Sequence, residues 1–312
     1  MDNQHSEASR VSSMASRPLK VTLVIVLAVM AIEVIGGILS NSLALLGDAG
    51  HMLVDALALG LSLFAMTIAR RPATPSKTYG YHRVEIMAAL ANGTTLLLVS
   101  AYIFYEAYQR FLEPPHIKAP LMLLVASIGL IANLIGIFIL RKAGRDNLNI
   151  KAAFWHIAGD AISSIGVIIG GLIIATTGWY LIDPIIAVCI SVIILWGAVR
   201  IVRESADILL EAVPRHIDIE KVIETIKNIS GVEDVHDIHI WTITSGMHAL
   251  SAHVRIEDQI VSRSTEIVTR VNQDLAQNFN ISHTTLQLEC ESCPTGLVCD
   301  IGQPEDQAQA NS

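Results

Sequence analysis

The chain has 312 residues, of which 52% are hydrophobic and only 16% are charged. Soluble globular domains usually carry about 25% charged residues, so this composition predicts a membrane protein with a soluble part attached. The formal net charge is −8, and the acidic excess falls after residue 212, where 6 basic and 15 acidic side chains stand. Such an acidic end argues against nucleic acid as a partner and favours cations.

Six apolar runs follow a polar, serine-rich start over residues 1–17 that we expect to be disordered and cytoplasmic. Each run is close to the roughly 20 residues that a spanning helix needs. Basic residues concentrate before the first run, between the second and third, between the fourth and fifth, and after the sixth, which predicts both termini on the cytoplasmic side. The sequence therefore predicts a six-helix transmembrane domain over 18–212. The runs are 19–40, 43–69, 84–111, 120–140, 149–177 and 183–200.

The pattern changes after Pro214, where shorter amphipathic and alternating segments begin. Their order, α-β-β-α-β, predicts a small α+β cytoplasmic domain over 213–292. We expect a flexible tail over 293–312. The predicted helices are 218–228 and 262–278, and the predicted strands are 235–244, 249–256 and 284–288.

Two histidine–aspartate pairs stand inside apolar runs. His51 and Asp55 are four residues apart, and His156 and Asp160 repeat that spacing. On a helix this spacing puts both side chains on one face. Ionisable residues inside a membrane cost roughly 2.5–3.5 kcal/mol on insertion scales and usually mark a pathway, and two imidazoles with two carboxylates suit tetrahedral zinc. We predict an intramembrane site for a transported metal, against the alternative of hydrogen bonds between packed helices.

Three further residues have weaker patterns. Asp48 stands seven residues before Asp55 on the same stripe, and Glu33 is the acid of the first apolar run. Either can support a ligand, accept a proton or bond a neighbouring helix. His82, in the loop before the third run, is a candidate for transient metal contact or for an ordinary solvated histidine.

Metal-binding residue types also gather in the predicted soluble domain. His236 and His239 are expected on one face of the first strand, and one Cys-x-x-Cys pair without a partner pair is a weak zinc signal. We expect a cytoplasmic metal site there without fixing its ligand set. The candidates are His236, His253, His283, Glu289, Cys290 and Cys293.

The residue patterns described so far also allow other functions. An intramembrane hydrolase would need an open zinc position beside a general base, and the chain has no His-Glu-x-x-His sequence. A membrane metal sensor would need a signalling module, for which the soluble domain is small. A third alternative keeps transport but widens the cargo to zinc, cadmium and cobalt. We favour a zinc transporter over an enzyme.

Several motifs resemble the cation diffusion facilitator family, in particular its bacterial zinc efflux branch, which is similar to vesicular zinc transporters. The likeness covers about residues 18–293. The motifs are Ser42-Leu43-Ala44-Leu45, Asp48-Ala49-Gly50-His51-Met52-Leu53-Val54-Asp55, Tyr79-Gly80-Tyr81-His82-Arg83-x-Glu85, His156-x-x-x-Asp160 and His236-Asp237-x-His239-x-Trp241.

The resemblance implies a homodimer in the bacterial inner membrane that exchanges Zn²⁺ for protons by alternating access. It implies a metallochaperone-like cytoplasmic domain in which zinc is structural or regulatory, and zinc preference at the paired His-Asp site. It also implies an ionic lock between Arg83 and Asp207. The chain departs from some members because it has no histidine-rich stretch, and because Thr74, Lys77 and Tyr81 replace the ligands of a loop metal site.

Overall fold

The computed structural model describes residues 21–22, 24–142, 148–244 and 246–290. The chain divides into two units, one formed by residues up to 63 with 88–202, and one formed by 64–87 with the residues from 203 onward. The first unit is helical and the second contains a β-sheet. The expectations for 1–17 and 293–312 concern residues that lie outside the described part.

All six predicted apolar runs form α-helices. Five are long and apolar enough to cross a membrane, and the first is shorter within the described residues. The last helix continues well past the predicted end near residue 200, because its extra residues include good helix formers and no glycine or proline. The helices are α1 Val24–Ser40, α2 Leu43–Ala69, α3 Arg83–Leu112, α4 Ala119–Lys142, α5 Leu148–Thr177 and α6 Ile182–Leu209.

The outward faces of these helices are apolar. Ile162, Ile193 and Trp196 are 71%, 71% and 73% exposed. Soluble proteins rarely expose broad apolar surfaces, whereas a lipid bilayer covers them without cost. In the interior, a buried cluster that includes Leu43 and Met122 joins residues from α2 to α6. The fold of this unit is therefore that of a helical membrane protein.

The second unit has the predicted α-β-β-α-β order. Asp218 caps the first helix by accepting a hydrogen bond from the Glu220 backbone N–H at 3.1 Å. Both helices lay an apolar stripe on the sheet, and residues such as Ile226, Leu250 and Val271 are fully buried between them. The elements are α7 Ile219–Lys227, β1 Val232–Thr244, β2 Met247–Ile256, α8 Val261–Phe279 and β3 Ile281–Glu289.

The sheet has the order β1-β2-β3, with β1 antiparallel and β3 parallel to β2. A β-bulge interrupts β1, because His236 pairs with His253 while His239 pairs with Ser251. Asp237, inside the bulge, has a φ of 46°. The extra residue places His236 and His239 on the same face, as predicted, although plain alternation would have put them on opposite faces.

Candidate metal sites

The two histidine–aspartate pairs meet between α2 and α5. His51 Nε2 lies 3.3 Å from Asp55 Oδ2, and His156 Nε2 lies 3.8 Å from Asp160 Oδ2. Across the two helices, His156 Nε2 lies 3.6 Å from Asp55 Oδ2, and the two imidazole centres are 6.1 Å apart. The structure thus brings together the four side chains that helical spacing had paired.

Several ligand atoms of this group have no hydrogen-bond partner. His51 Nδ1, Asp55 Oδ2 and Asp160 Oδ2 are buried and make no hydrogen bond within the described residues. One ligand atom each from His51, His156 and Asp160 lie within 4.8 Å of one another. Buried polar atoms are nearly always paired, and a cation held among these imidazoles and carboxylates would satisfy them.

Two further acids lie close to the group. Asp48 is 2% exposed and accepts a hydrogen bond from Ser163 Oγ at 2.7 Å, which joins α2 to α5. Glu33, on α1, is 1% exposed, and its Oε2 makes no hydrogen bond to a described residue. A side chain at Gly129 would collide with the Glu33 carboxylate. Glu33 interacts electrostatically with Asp48 and Asp160, so these acids are near neighbours.

A second group forms on the sheet of the other unit. His236 and His253 face each other across β1 and β2, with ring centres 5.3 Å apart. Glu289 places its Oε2 3.1 Å from His236 Nε2 and its Oε1 2.9 Å from His253 Nδ1. These contacts lack hydrogen-bond geometry, and neither nitrogen makes a hydrogen bond elsewhere in the described residues. Asp237 adds an oxygen 3.6 Å from His253 Nε2.

Other predicted cytoplasmic ligands do not join this group. His283 pairs with Ala249, whereas Glu289 pairs with Arg255 at the far end of β3. Six residues of extended strand span about 20 Å, so the expectation that His283 shares the site is corrected. Cys290 is exposed and outside the group, and Cys293 lies beyond the described residues.

His283 instead lies near the loop between α2 and α3. Its ring is 5.5 Å from that of Tyr79, and it lines a cavity of about 530 Å³ together with His82. The two histidines, which the sequence suggested separately, therefore line one cavity. The same cavity is lined by Arg70 and Arg71.

The expected pair between Arg83 and Asp207 is replaced by two neighbouring pairs. Arg83 Nη2 lies 2.7 Å from Glu211 Oε1, and Asp207 Oδ2 lies 2.9 Å from Arg215 Nη2. The chain turns just beyond α6, where Glu211 has a φ of 58°. This turn brings Glu211 to Arg83 and leaves Asp207 to Arg215.

Two buried charges have contacts that the sequence reading missed. Asp183 begins the sixth apolar run and Arg110 lies at the end of the third, and both are buried, at 0% and 7% exposed. Asp183 binds residues about 140 positions earlier in the chain. The signal available in the sequence is a charge at the end of an apolar run, which ordinary helix boundaries also show.

A bundle of apolar helices that brings two histidine–aspartate pairs together, in a chain that also forms a sheet with a histidine–glutamate group, defines an integral membrane protein that handles metal cations. Residues 19–210 match the family of the cation efflux transmembrane domain, and residues 214–291 match the cation efflux protein cytoplasmic domain. The chain belongs to this cation efflux family, which is the cation diffusion facilitator family, and is a metal cation transporter rather than an enzyme.

Named relatives cover almost the whole chain. The cadmium, cobalt and zinc/H(+)-K(+) antiporter of Bacillus subtilis is 39% identical over 295 residues, which are 94% of this chain and 93% of the relative. The zinc transporter ZitB of Yersinia pestis is 38% identical over 92% of each chain. A solved metal-bound C-terminal domain of the CzcD transporter from Cupriavidus metallidurans is 38% identical, with a TM-score of 0.22, over 23% of this chain and 99% of that chain.

Proposed function

We propose that the protein exports Zn²⁺ from the cytoplasm in exchange for protons, through the group formed by His51, Asp55, His156 and Asp160. The observation that carries this proposal is the meeting of these four side chains, from two helices, with buried nitrogen and oxygen atoms that make no hydrogen bond in the described part of the chain. Two carboxylates balance the two charges of the ion, and two neutral imidazoles complete a tetrahedral set. A neutral complex lowers the cost of holding a divalent ion in a low-dielectric interior.

Proton exchange follows from the chemistry of the same ligands. Zinc binds neutral imidazole and ionised carboxylate, so metal binding and protonation compete. A free imidazole titrates at about pH 6.5, so acidification of the outer side favours zinc release there. The emptied, protonated ligands then carry protons inward as the site alternates between the two sides. Asp48 and Glu33, buried beside Asp160, are proposed as supports or proton acceptors on this path.

Zinc is the proposed main cargo, and the broader zinc, cadmium and cobalt exporter is the alternative. The name of the Yersinia pestis relative specifies zinc, and that of the Bacillus subtilis relative specifies cadmium, cobalt and zinc with protons and potassium. The paired imidazoles favour zinc, because borderline nitrogen ligands suit it better than an all-oxygen set does.

We propose that His236, His253 and Glu289 hold a second, resident zinc that stabilises the cytoplasmic domain. The ligand types fit, because one atom from each lies within 4.8 Å of the others, and one buried nitrogen of each histidine makes no hydrogen bond to any residue that the structure describes. Bound metal would fix β1, β2 and the end of β3 to one another and so add to the stability of the sheet.

The arrangement in the cell is also a proposal. We place a transmembrane domain at 18–212 and a cytoplasmic domain at 213–292, with both termini in the cytoplasm of a bacterium and the helices in its inner membrane. The positions of the basic residues between the helices support this orientation. We further propose that two copies of the chain form a homodimer.

The exchange mechanism is tested with purified protein in sealed vesicles that contain a zinc-sensitive dye. An imposed pH gradient, with the acidic side inside, should drive zinc accumulation against its own gradient. A proton ionophore should abolish that accumulation. Unchanged rate and final accumulation with the gradient collapsed would replace the exchanger with a uniporter.

A further inference from the structure

A buried charge network ties together the start of α2, the end of α3 and the start of α6. Asp183 is the second residue of α6 and is 0% exposed. Its carboxylate accepts hydrogen bonds from Ser42 Oγ at 2.6 Å, from the Leu43 N–H at 2.7 Å and from the Ala44 N–H at 3.2 Å. A single side chain of α6 therefore holds the first turn of α2.

The start of a helix needs such acceptors, because its first four N–H groups have no partner inside the helix. A residue just before the helix usually supplies the acceptor. Here Ser42 Oγ accepts from the Leu45 N–H at 3.2 Å, and Asp183 takes the two N–H groups before it. The negative charge also complements the positive end of the helix dipole. The cap of α2 thus comes partly from another helix.

Arg110, near the end of α3, completes the network. Its Nη1 donates to the Asn41 carbonyl oxygen at 2.6 Å, and its Nη2 donates to Asn41 Oδ1 at 3.2 Å. Its Nε donates to Glu106 Oε1 at 3.1 Å, and its Nη1 lies 3.6 Å from Asp183 Oδ2. The turn between α1 and α2 is therefore bound to α3 by the same guanidinium that faces Asp183.

The anchored turn lies directly before the metal-binding stretch of α2. Ala44 is one helical turn before Asp48, about two before His51 and about three before Asp55. No proline interrupts α2, so a rotation or shift at its start moves these side chains with it. Metal affinity depends on ligand position, because a tetrahedral site tolerates only small displacements of its ligands.

We propose that Asp183 is a positioning residue for the intramembrane site, which fixes the rotation and depth of α2 and so the placement of His51 and Asp55. This inference rests on the proposed function, because it assumes that His51, Asp55, His156 and Asp160 bind the transported ion. A role in folding alone would lower thermal stability without changing the zinc affinity of the folded protein. A positioning role changes that affinity.

The test measures zinc binding to the purified full-length protein in detergent. Every variant carries His236→Ala and His253→Ala, so that the cytoplasmic group does not contribute. In this background Asp183→Asn keeps the size of the side chain but removes the charge and one of its two acceptor oxygens. Its zinc affinity should fall by about tenfold or more, the scale seen when a partner that orients metal ligands is lost.

Ser191→Ala is the matched control. Ser191 is also a fully buried residue of α6, but its hydroxyl donates to the Ser100 carbonyl of α3 at 3.3 Å instead of bonding the start of α2. Its loss should leave zinc affinity unchanged. Melting temperature is recorded for each protein, so that an affinity change is separated from a loss of stability.

Wild-type zinc affinity in Asp183→Asn, with or without a lower melting temperature, would overturn the positioning role. Asp160→Ala in the same assay tests the proposed site itself, because unchanged binding there means that the intramembrane group is wrong. If Asp183→Asn does not fold, Ser42→Ala removes one donor to the carboxylate and should weaken zinc binding a few-fold. Unchanged affinity in a folded Ser42→Ala protein would then contradict the proposal.

Discussion

The membrane group and the cytoplasmic group use similar ligands on different backbones. In the membrane, each helix supplies a histidine and an aspartate one turn apart, so the spacing within a single helix builds half of the site. On the sheet, His236, His253 and Glu289 come from three separate strands and meet through strand register. A helix pair can shift as two rigid halves, whereas the sheet group is held by backbone ladders on both sides. The first arrangement suits a moving ion, and the second suits a resident one.

Removal of a carboxylate from the membrane group should have the largest effect on transport. Asp55→Ala or Asp160→Ala should reduce zinc flux into vesicles to background while insertion into the membrane persists. The lost carboxylate leaves the charge of the ion less well balanced in this low-dielectric setting. Glu113→Ala, at an exposed acid after α3, is the control and should transport normally. Flux near the wild-type level in either site variant would show that these residues do not form the transport site.

A milder change at the same site should alter selectivity and pH dependence. His51→Asp keeps a ligand at this position but replaces an imidazole nitrogen with a carboxylate oxygen. The variant site should therefore favour zinc over larger ions less strongly than the wild-type site does. Cadmium transport should rise relative to zinc transport, and the pH dependence of flux should move to lower pH because a carboxylate titrates lower than an imidazole. Initial rates for both metals across a pH series measure this. Identical selectivity and pH profile in the variant would remove His51 from the ligand set.

Substitutions in the cytoplasmic group should affect zinc binding and stability more than transport. His236→Ala and His253→Ala, made in the full-length chain, should weaken one class of zinc site and lower the zinc-dependent gain in melting temperature. Transport should be reduced but should continue, because the membrane group is intact. Calorimetry with Asp160→Ala present isolates the cytoplasmic binding. If these variants stopped flux as completely as Asp160→Ala does, the cytoplasmic group would be required for transport and would not be only a stabilising site.

The smallest expected effect concerns the pH dependence of the sheet region. His248 is 5% exposed, its Nδ1 lies 3.2 Å from Thr242 Oγ1, and its ring is 5.1 Å from that of His216. Burial, with a smaller contribution from His216, lowers the pKa of His248. The unfolded histidine titrates at about 6.5 and takes up its proton first, so the stability of this region should fall as pH drops below about 6.5.

Thermal unfolding of the metal-free protein between pH 7.5 and 5 checks that dependence. The His248→Gln variant should show a flatter decline in melting temperature, and His216→Asn should flatten it less, because only the neighbouring charge is lost. Equal slopes in all three proteins would mean that His248 does not couple protonation to unfolding.

The helical site was largely predictable from sequence because its information is local. The spacing from His51 to Asp55 and from His156 to Asp160 fixes a face of each helix, and the fit of two imidazoles and two carboxylates to tetrahedral zinc joins the two pairs into one predicted site. The order of the elements in the cytoplasmic domain was predictable for the same reason, since amphipathic and alternating patterns differ in period. The family matches confirm the resemblance to the cation diffusion facilitator family and the predicted fold class.

Two of the features that failed or were missed depend on distant contacts, and one depends on strand length. His283 and Glu289 flank the predicted third strand and were both candidate ligands, but six residues of extended strand separate them, so they lie at opposite ends of β3. Arg83 has Glu211 as its partner because of a turn beyond α6 that no local pattern shows. The carboxylate of Asp183 binds backbone N–H groups, which are the same for every residue type and leave no sequence signal.

The β-bulge in β1 makes the length of this strand as important as its composition. Deletion of Asp237 would restore strict alternation and turn the preceding part of the strand over. Val235, now 3% exposed, would then point to the opposite side, and His236 would leave Glu289. One missing residue would thus expose part of the core and dismantle the cytoplasmic group together, a larger defect than the substitution of either histidine.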